Sequence, residues 1–278
     1  MIGIVVVSYR SDDRTVSFVR DELSKVDISH TVVVVNNGAT EAEAAALAAR
    51  LPGVQVIAAD NGGYAKGNNI GARWLREHVH PSHILFANDD VRLASERLVE
   101  TLLETAAGNE RIGAIGPEVV GMDGLRQSPE PYMGLWKRYV WMYLSTPFLS
   151  KESKRKAFCL DYPEQAGEGF HYKLSGSFLL VDSESFFQAG MFDEGTFLYA
   201  EENILSERLS AIGKGCWFCP SVRVVHEHGK TVNANYPTIT RAMFQYRSMA
   251  YYYRRYRGYS RIGTAVAGLV FRIILSLR

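Results

Sequence analysis

In Ile84-Leu85-Phe86-Ala87-Asn88-Asp89-Asp90-Val91, a short apolar run leads directly into a cluster of oxygen-bearing side chains. Four apolar residues of this kind indicate a buried strand of an α/β sheet, and such strands carry ligand-binding groups at their carboxyl ends. A carboxylate at that place can hold a hard divalent cation, because these ions prefer oxygen ligands. The alternative is an ordinary polar turn before the next helix, since such turns also favour Asp and Asn.

The residues around this stretch repeat one pattern of strand, polar turn and helix. Apolar runs predict strands at residues 2–7, 31–35, 54–58, 84–87 and 112–120. Helix-forming segments separate the first four of these runs, and this alternation is typical of a parallel sheet with right-handed crossovers. We therefore expect an α/β fold with a mostly parallel central sheet flanked by helices.

The composition is that of an ordinary globular protein, with 47% hydrophobic and 22% charged residues among 278. This length fits one large α/β domain, or one domain with an appendage. Three cysteines without a paired framework suggest a reducing compartment. Cys216 and Cys219 lie in an apolar run that predicts a strand rather than a zinc or redox motif. The first apolar run is short and lacks a preceding basic region, so we expect no signal peptide.

The last part of the chain is basic and rich in tyrosine. No acidic residue follows Glu227, whereas one lysine and eight arginines do, so this segment carries +9 and the rest −8 of the net +1. Apolar residues recur there at helical spacing: Ile262, Ala265, Val266, Leu269, Val270, Ile273, Ile274 and Leu277. The pattern predicts a helix that is too short to span a bilayer and lies in the plane of an anionic membrane surface, assisted by Arg261, Arg272 and Arg278. The alternative is a helix that packs on the domain or on a second subunit.

The middle of the chain has weaker periodicity. The glycine-rich residues 61–71 do not form a dinucleotide fingerprint, so they predict either close backbone approach to a ligand or a surface loop. Residues 123–172 have no regular period and are aromatic and basic, which favours a functional lid or insert. A strand is predicted at residues 173–181, where Gly176 and Ser177 leave room for a ligand to approach.

Two further places carry groups suited to chemistry. Glu201 and Glu202 stand at the head of a predicted helix that runs to about Ala211. The helix dipole favours carboxylates in that position, so a structural role is the alternative. His226 follows a predicted strand at residues 222–225, and a lone histidine in such a place also has a structural alternative.

Seven short motifs occur in one order along residues 1–235. They are Val7-Ser8-Tyr9, Val35-Asn36-Asn37-Gly38, the run from Asn61 to Gly71, Asn88-Asp89-Asp90-Val91, Gly176-Ser177-Phe178, Tyr199-Ala200-Glu201-Glu202 and His226. This series resembles the inverting nucleotide-sugar glycosyltransferases of family 2, which have a GT-A (Rossmann-like) fold, and most of all the bacterial rhamnosyltransferase-like members. The resemblance implies a nucleotide-sugar half at 1–120, an acceptor and catalytic half at 121–235, and a helical tail at 236–278.

The resemblance assigns donor binding to residues that follow the first strands. Ser8 and Tyr9 are expected beside the nucleotide, and Asn36 takes the position of an aspartate that usually reads the base. An Asn oxygen can accept the same imide N–H bond, but without the negative charge. The remaining donor-binding positions are Asn37, Asn61, Gly63, Lys66, Gly67, Asn68, Asn88 and Asp89.

The resemblance also implies a cofactor, Mg²⁺ or Mn²⁺, on the diphosphate of the donor. Asp90 and Asn88 match the outer residues of the metal motif, and His226 matches a histidine near the diphosphate, so these three are the candidate ligands. Glu202 matches the general base, while Ile204 stands where a second Asp often occurs. We expect a partly dry site to raise the pKa of Glu202 into the range useful to a base.

The implied function is metal-assisted transfer of a sugar to a hydroxyl of a glycan or lipid-linked glycan in bacterial cell-surface polysaccharide or O-antigen synthesis. The first expectation for the donor is dTDP-rhamnose, and the second is a UDP-sugar. We expect a cytoplasmic protein that is peripheral on the inner face of the plasma membrane. Alternatively, the tail forms the contact between two subunits of a homodimer. We expect no nucleic-acid partner. A catalytically silent nucleotide-sugar-binding or scaffold protein is one alternative function. A sugar-phosphate nucleotidyltransferase is another, but Ser8-Tyr9-Arg10-Ser11 does not supply its glycine- and arginine-rich loop.

Overall fold

The computed structural model describes residues 1–145, 148–227 and 238–276. Within these ranges, nine strands form one central sheet. The strands are β1 Ile2–Ser8, β2 His30–Asn37, β3 Gln55–Ala59, β4 His83–Ala87, β5 Val91–Leu93, β6 Ile112–Gly121, β7 Gly169–His171, β8 Phe178–Asp182 and β9 Gly215–His226. Their spatial order is β3-β2-β1-β4-β8-β6-β9-β5, and β7 pairs with β9 outside that path.

Most strands of the sheet run in one direction. Strands β1, β2, β3 and β4 pair in parallel, and β9 is parallel to β6. Strand β8 lies antiparallel between β4 and β6, while β5 and β7 run antiparallel to β9. The predicted mostly parallel α/β sheet is therefore confirmed.

Helices cover both faces of the sheet. They are α1 Asp12–Ser17, α2 Glu41–Arg50, α3 Tyr64–His78, α4 Leu98–Ala107, α5 Met142–Leu144, α6 Lys151–Ala157, α7 Tyr162–Gln165, α8 Ser183–Gln188, α9 Glu201–Ala211, α10 Thr238–Tyr256 and α11 Arg261–Ser276. A π-helical turn, Lys137–Trp141, leads directly into α5. Because alternate strand residues face opposite sides, Ile4 of β1 packs toward Leu47 of α2, whereas Val5 packs toward Leu75 of α3. Burial on both faces explains why the first strands read as continuous apolar runs.

The C-terminal helices pack on the rest of the chain and form a third apolar cluster. Tyr252 and Tyr253 of α10 and Phe271 of α11 are buried in it. The Tyr252 hydroxyl donates to Glu207 of α9 at 3.1 Å, and Tyr251 donates to Asp193 at 3.1 Å. The helical tail is thus held on the domain by apolar burial and by hydroxyl–carboxylate hydrogen bonds. Lys230, Leu277 and Arg278 of the predicted basic tail lie outside the described residues.

The strand predicted at residues 173–181 is shorter than expected. It begins at Phe178, so Gly176-Ser177 lies in the loop before it. The backbone of Lys173 pairs instead with Glu130 in an isolated bridge. The Gly176 N–H donates to the carboxylate of Glu202 at 3.2 Å rather than to a neighbouring strand. The backbone of this stretch therefore hydrogen-bonds to Glu130 and to the side chain of Glu202, and not to a neighbouring strand of the sheet.

Candidate active site

The carboxyl ends of β1, β2 and β4 meet at one edge of the sheet. Parallel pairing sets Ser8 opposite Asn36, and β4 pairs with the other side of β1. Beyond the end of β4, Asn88 donates its backbone N–H to the carbonyl of Ser177 at 2.8 Å. Residues from distant parts of the sequence therefore emerge side by side at this edge, where open α/β sheets bind ligands.

A cavity of about 560 Å³ opens at this edge, a size common for small-molecule sites. Predicted site residues that line it are Tyr9, Asn37, Asn61, Gly63, Asn88, Asp89, Asp90, Glu202 and His226. Residues to which the sequence analysis assigned no binding or catalytic role also line it, among them Gln127, Glu130, Arg138, Lys173, Ser175, Glu201, Arg241, Gln245 and Met249. The cavity thus brings together the strand ends, the irregular segment after β6 and the first helix of the tail.

Five predicted donor-binding residues are not among those lining the cavity: Ser8, Asn36, Lys66, Gly67 and Asn68. Ser8 is fully buried, and its hydroxyl accepts from Thr15 at 2.8 Å. At Gly67 a Cβ would lie 3.0 Å from a methyl of Val7, so the glycine lets α3 approach β1. The amide of Asn68 donates to the Tyr64 carbonyl at 3.0 Å within α3. Ser8, Gly67 and Asn68 therefore make packing and hydrogen-bonding contacts within the fold.

Asp90 and His226 meet because β5 pairs with the end of β9. Antiparallel register sets Val91 opposite His226, and the two side chains approach to 3.2 Å between Asp90 Oδ1 and His226 Nε2. Apart from this imidazole, Oδ1 is buried with no hydrogen-bond partner among the described residues. The other imidazole nitrogen, Nδ1, bonds Gln127 Oε1 at 2.8 Å, which fixes the ring. Burial opposes ionisation, yet the hydrogen bond and charge of His226 hold the pKa of Asp90 below its ordinary value.

Asp89 has a different environment from its neighbour. Its Oδ2 accepts from the Ser11 hydroxyl at 2.7 Å and from Thr15 at 2.8 Å, and its Oδ1 pairs with Arg14 Nε at 3.0 Å. Both carboxylate oxygens are therefore engaged by residues at the start of α1. Asp89 thereby anchors the loop after β1 to the end of β4, beside Asp90.

Glu201 and Glu202 begin α9 directly after a constrained stretch of backbone. Tyr199 and Ala200 both have φ of +72°, a left-handed conformation that is uncommon for residues other than glycine. Glu202 is half-buried, and its Oε1 accepts from the Gly176 N–H at 3.2 Å. At Gly176 a Cβ would lie 2.5 Å from that oxygen, so only a glycine lets the carboxylate reach this position without a shift.

Of the two glutamates, Glu201 is the strongly buried one. Glu201 is 2% exposed, and burial, followed by the charge of Glu202, raises its pKa to about 8. The physical reason is the direction of the first helical turn, since neighbouring residues on a helix point about 100° apart. Glu201 therefore points into the protein interior, while Glu202 reaches the loop at Gly176.

Gly63 permits the contact that closes the glycine-rich loop over the cavity. Its φ of +87° and ψ of −178° fall in a region that is accessible essentially to glycine alone. A Cβ there would lie 2.0 Å from the Phe197 carbonyl oxygen, which accepts from the Tyr64 N–H at 3.0 Å. The loop before α3 and the loop before α9 are thus in direct backbone contact.

We expect Gly63→Ala to lower the free energy of unfolding by about 2–5 kcal/mol, from backbone strain and steric overlap together. Gly53→Ala is the matched control, because Gly53 has φ of +82° but no atom within 4 Å of its Cβ position. That control should lose only about 1–2 kcal/mol. Urea unfolding of both variants measures the difference, and equal losses would refute the steric argument.

Comparison with known proteins identifies the family. The family model described as glycosyltransferase like family 2 matches residues 2–244. The chain belongs to this family of glycosyltransferases. The glycosyltransferase is 27% identical over 252 residues to the N-acetylglucosaminyl-diphospho-decaprenol L-rhamnosyltransferase of Mycobacterium tuberculosis, over 81% of this chain and 76% of the relative. It is 21% identical over 232 residues to the rhamnosyltransferase WbbL of Escherichia coli K12, over 81% and 83% of the two chains.

Solved structures agree with this assignment at the level of the fold. The mannosyltransferase PcManGT from Pyrobaculum calidifontis, solved in complex with GDP-Man and Mn²⁺, superposes with a TM-score of 0.58 at 12% identity. The match covers 99% of this glycosyltransferase and 74% of that chain. The predictions of a GT-A fold and of a glycosyltransferase are therefore confirmed.

Several residues that line the cavity of this glycosyltransferase carried no recognisable signal in the sequence. Glu130 and Lys173 form an ion pair of 2.6 Å, in which burial opposes ionisation but the ammonium group lowers the pKa of Glu130. Arg138 comes from the aperiodic insert, and Arg241 and Gln245 come from α10. The aromatic and basic composition of the insert pointed to function, whereas the contribution of α10 to this cavity depends on long-range packing.

Proposed function

We propose that this glycosyltransferase moves a sugar from a nucleotide diphosphate to a hydroxyl group in a single displacement with inversion. The observation that carries the proposal is that Glu202 and the Asp90–His226 pair line one cavity. Single displacement needs two functions at one site, namely a base for the hydroxyl of the acceptor and a partner for the charge on the leaving group of the donor.

In the proposed step, the Glu202 carboxylate takes the proton of the acceptor hydroxyl while that oxygen bonds to the anomeric carbon. The bond from the anomeric carbon to the phosphate oxygen breaks, and its electron pair leaves with the diphosphate. The Gly176 N–H holds one oxygen of Glu202 at 3.2 Å and so orients the carboxylate. Ile204, at the position where a second acid often stands, is buried in the apolar cluster with Tyr246, so an acid there would face the protein interior.

Asp90 and His226, with Asn88 beside them, are the residues that would hold Mg²⁺ or Mn²⁺. The fit rests on the buried Asp90 Oδ1, which has no hydrogen-bond partner among the described residues apart from the imidazole. Among these candidate ligands, the carboxylate oxygen of Asp90 and the amide oxygen of Asn88 are of the type that suits Mg²⁺ and Mn²⁺. When bound, the ion would screen the negative charge of the diphosphate.

The first candidate donor is dTDP-rhamnose, and a UDP-sugar is the second. Rhamnose is supported by two relatives, of which the mycobacterial one is named an L-rhamnosyltransferase and the Escherichia coli one a rhamnosyltransferase. The donor base would be read at the end of β2, where Asn36 is buried at 3% exposure and Asn37 lines the cavity. An amide at this position can still accept an imide N–H.

The proposed acceptor is a hydroxyl of a glycan or a lipid-linked glycan in bacterial surface polysaccharide or O-antigen synthesis. The name of the mycobacterial relative includes a diphospho-decaprenol acceptor, which supports the lipid-linked form. We place the protein peripherally on the inner face of the plasma membrane, where such acceptors are exposed to the cytoplasm. Among the described helices none combines the length and apolarity needed to cross a bilayer.

Thermal unfolding with a panel of nucleotide diphosphates and their sugars, with and without Mn²⁺, tests the donor. The correct donor at about 100 times its Kd should stabilise the protein by about 2.7 kcal/mol. Incubation of that donor with lipid-linked glycan acceptors should then give a product with inverted anomeric configuration, read by NMR. Donor binding without any transfer would contradict the proposal and favour a catalytically silent binding protein.

A further inference from the structure

One face of α11 is apolar and exposed. The helix packs on the domain through Thr264, Ala267 and Phe271, which are buried. Its other side presents four large apolar residues at helical spacing: Ile262, Val266, Leu269 and Ile273, exposed by 78%, 46%, 61% and 49%. The helix is therefore apolar both on the side that packs on the domain and on the opposite, exposed side.

The helical segment Trp136–Leu144 lies beside α11 and extends its exposed apolar side. The ring of Trp136 lies beside Gly263, where a Cβ would be 3.7 Å from it. Tyr139 and Tyr143 contact Phe271, with ring centroids 5.0 and 5.4 Å apart. The two helices thus lie side by side along their length. The exposed large apolar residues of this segment are Trp136, Trp141 and Leu144, at 38%, 60% and 45%.

We call these seven exposed residues the paired-helix surface: Trp136, Trp141, Leu144, Ile262, Val266, Leu269 and Ile273. Exposed charges on the same helices are basic, namely Lys137, Arg261 and Arg272. The sequence contains no Asp or Glu at residues 131–151 or after Glu227. The surface therefore combines large apolar side chains, two of them tryptophans, with neighbouring charges that are all positive.

We propose that the paired-helix surface binds an anionic lipid bilayer. Tryptophan prefers the interface between headgroups and acyl chains, and an in-plane helix inserts its apolar residues there while arginine and lysine contact anionic headgroups. A second copy of the chain fits less well, because a twofold interface brings the same patch of both subunits together. Such an interface would oppose Lys137, Arg261 and Arg272 to one another without an acidic partner in the surface.

The surface also lies in the helical layer that borders the cavity. Arg138 of the Trp136–Leu144 segment lines the cavity, and so do Arg241 and Met249 of α10. Tyr246 of α10 packs against Phe271 of α11, with ring centroids 5.8 Å apart. Docking of this surface on a membrane would therefore bring the acceptor side of the cavity close to the bilayer. The statement about the acceptor side rests on the proposed function, whereas the proposal that the surface binds lipid does not.

Co-sedimentation with vesicles tests the proposal. The full chain should bind vesicles that contain phosphatidylglycerol more strongly than vesicles of phosphatidylcholine alone, and added salt should weaken the binding. Leu269→Glu and Trp141→Ala should each reduce binding to the anionic vesicles by about tenfold or more. Met122→Glu is the matched control, because Met122 is 69% exposed but lies after β6, outside the surface.

The vesicle-binding results distinguish membrane binding by the paired-helix surface from a subunit contact. Equal binding by wild type and Leu269→Glu, with unchanged melting temperatures, would overturn the proposal. A change in oligomeric state with unchanged vesicle binding would assign the surface to a subunit contact instead. Glu202→Gln should bind vesicles like the wild type, so a failed transfer assay and a failed membrane assay remain distinguishable.

Discussion

Glu202→Gln is expected to lose sugar transfer by about 10²–10⁴-fold while it keeps donor binding. Glutamine preserves the size of the side chain and can still accept the hydrogen bond from the Gly176 N–H. It cannot take the proton of an acceptor hydroxyl, so the loss should appear in the transfer rate at saturating donor. Thermal stabilisation by the donor should stay unchanged, which separates a catalytic effect from a structural one.

Glu201→Gln is the control for this variant. Burial raises the pKa of Glu201 to about 8, so its carboxyl group is largely protonated at neutral pH. An amide replaces a neutral acid there, and transfer should fall much less. Since the unfolded chain releases this proton near pH 4.5, the wild type should lose stability as pH rises from about 4.5 through about 8. The variant should lack this loss. A larger drop in transfer for Glu201→Gln than for Glu202→Gln would move the base to Glu201.

Asp90→Asn should reduce Mn²⁺-stimulated transfer by about 10²-fold or more, because a bound ion contributes several kcal/mol of charge stabilisation. Asn88 is neutral, so Asp90 supplies the negative charge among the candidate ligands. The fold should persist, since the substitution keeps the shape of the side chain. Titration of the transfer rate against Mn²⁺, together with calorimetry of Mn²⁺ binding, measures the effect.

Asp89→Asn is the matched control for Asp90→Asn. Asp89 pairs with Arg14 at 3.0 Å and accepts from two hydroxyls, so its loss should lower the melting temperature. Its Mn²⁺ response should remain. If Asp90→Asn retains both its activity and its Mn²⁺ response, Asp90 is not the principal metal ligand.

The sequence predicted the elements of the sheet that depend on local pattern. The run from Ile84 to Ala87 forms β4, and Glu201 begins the expected helix. Local pattern could not bring His226 to Asp90, because the pairing of β5 with β9 joins residues more than 130 positions apart. Only the resemblance to a family linked these two residues in advance.

The sequence does not show which residue is buried at the first turn of α9. Which of two adjacent glutamates faces inward depends on the angle at which the helix begins. That angle is set by the positive φ values of Tyr199 and Ala200, and neither residue type signals such a conformation. The sequence also did not predict that α10 forms part of the cavity wall. The tyrosines of α10 hydrogen-bond to Glu207 and Asp193, and these contacts exist only in the folded chain.

The position of α10 in the chain has a consequence for protein synthesis. All nine described strands precede it, so the ribosome completes the sheet before α10 emerges, at about 5–20 residues per second. Until then, the nascent chain lacks Arg241, Gln245 and Met249, and Glu207 has no hydroxyl from Tyr252. The donor-facing strand ends can form early, whereas the cavity closes only with this late helix. A nascent chain stalled before α10 should therefore bind no acceptor, and its cluster around Leu135 and Tyr139 would lack the residues of α10 and α11 that pack on it.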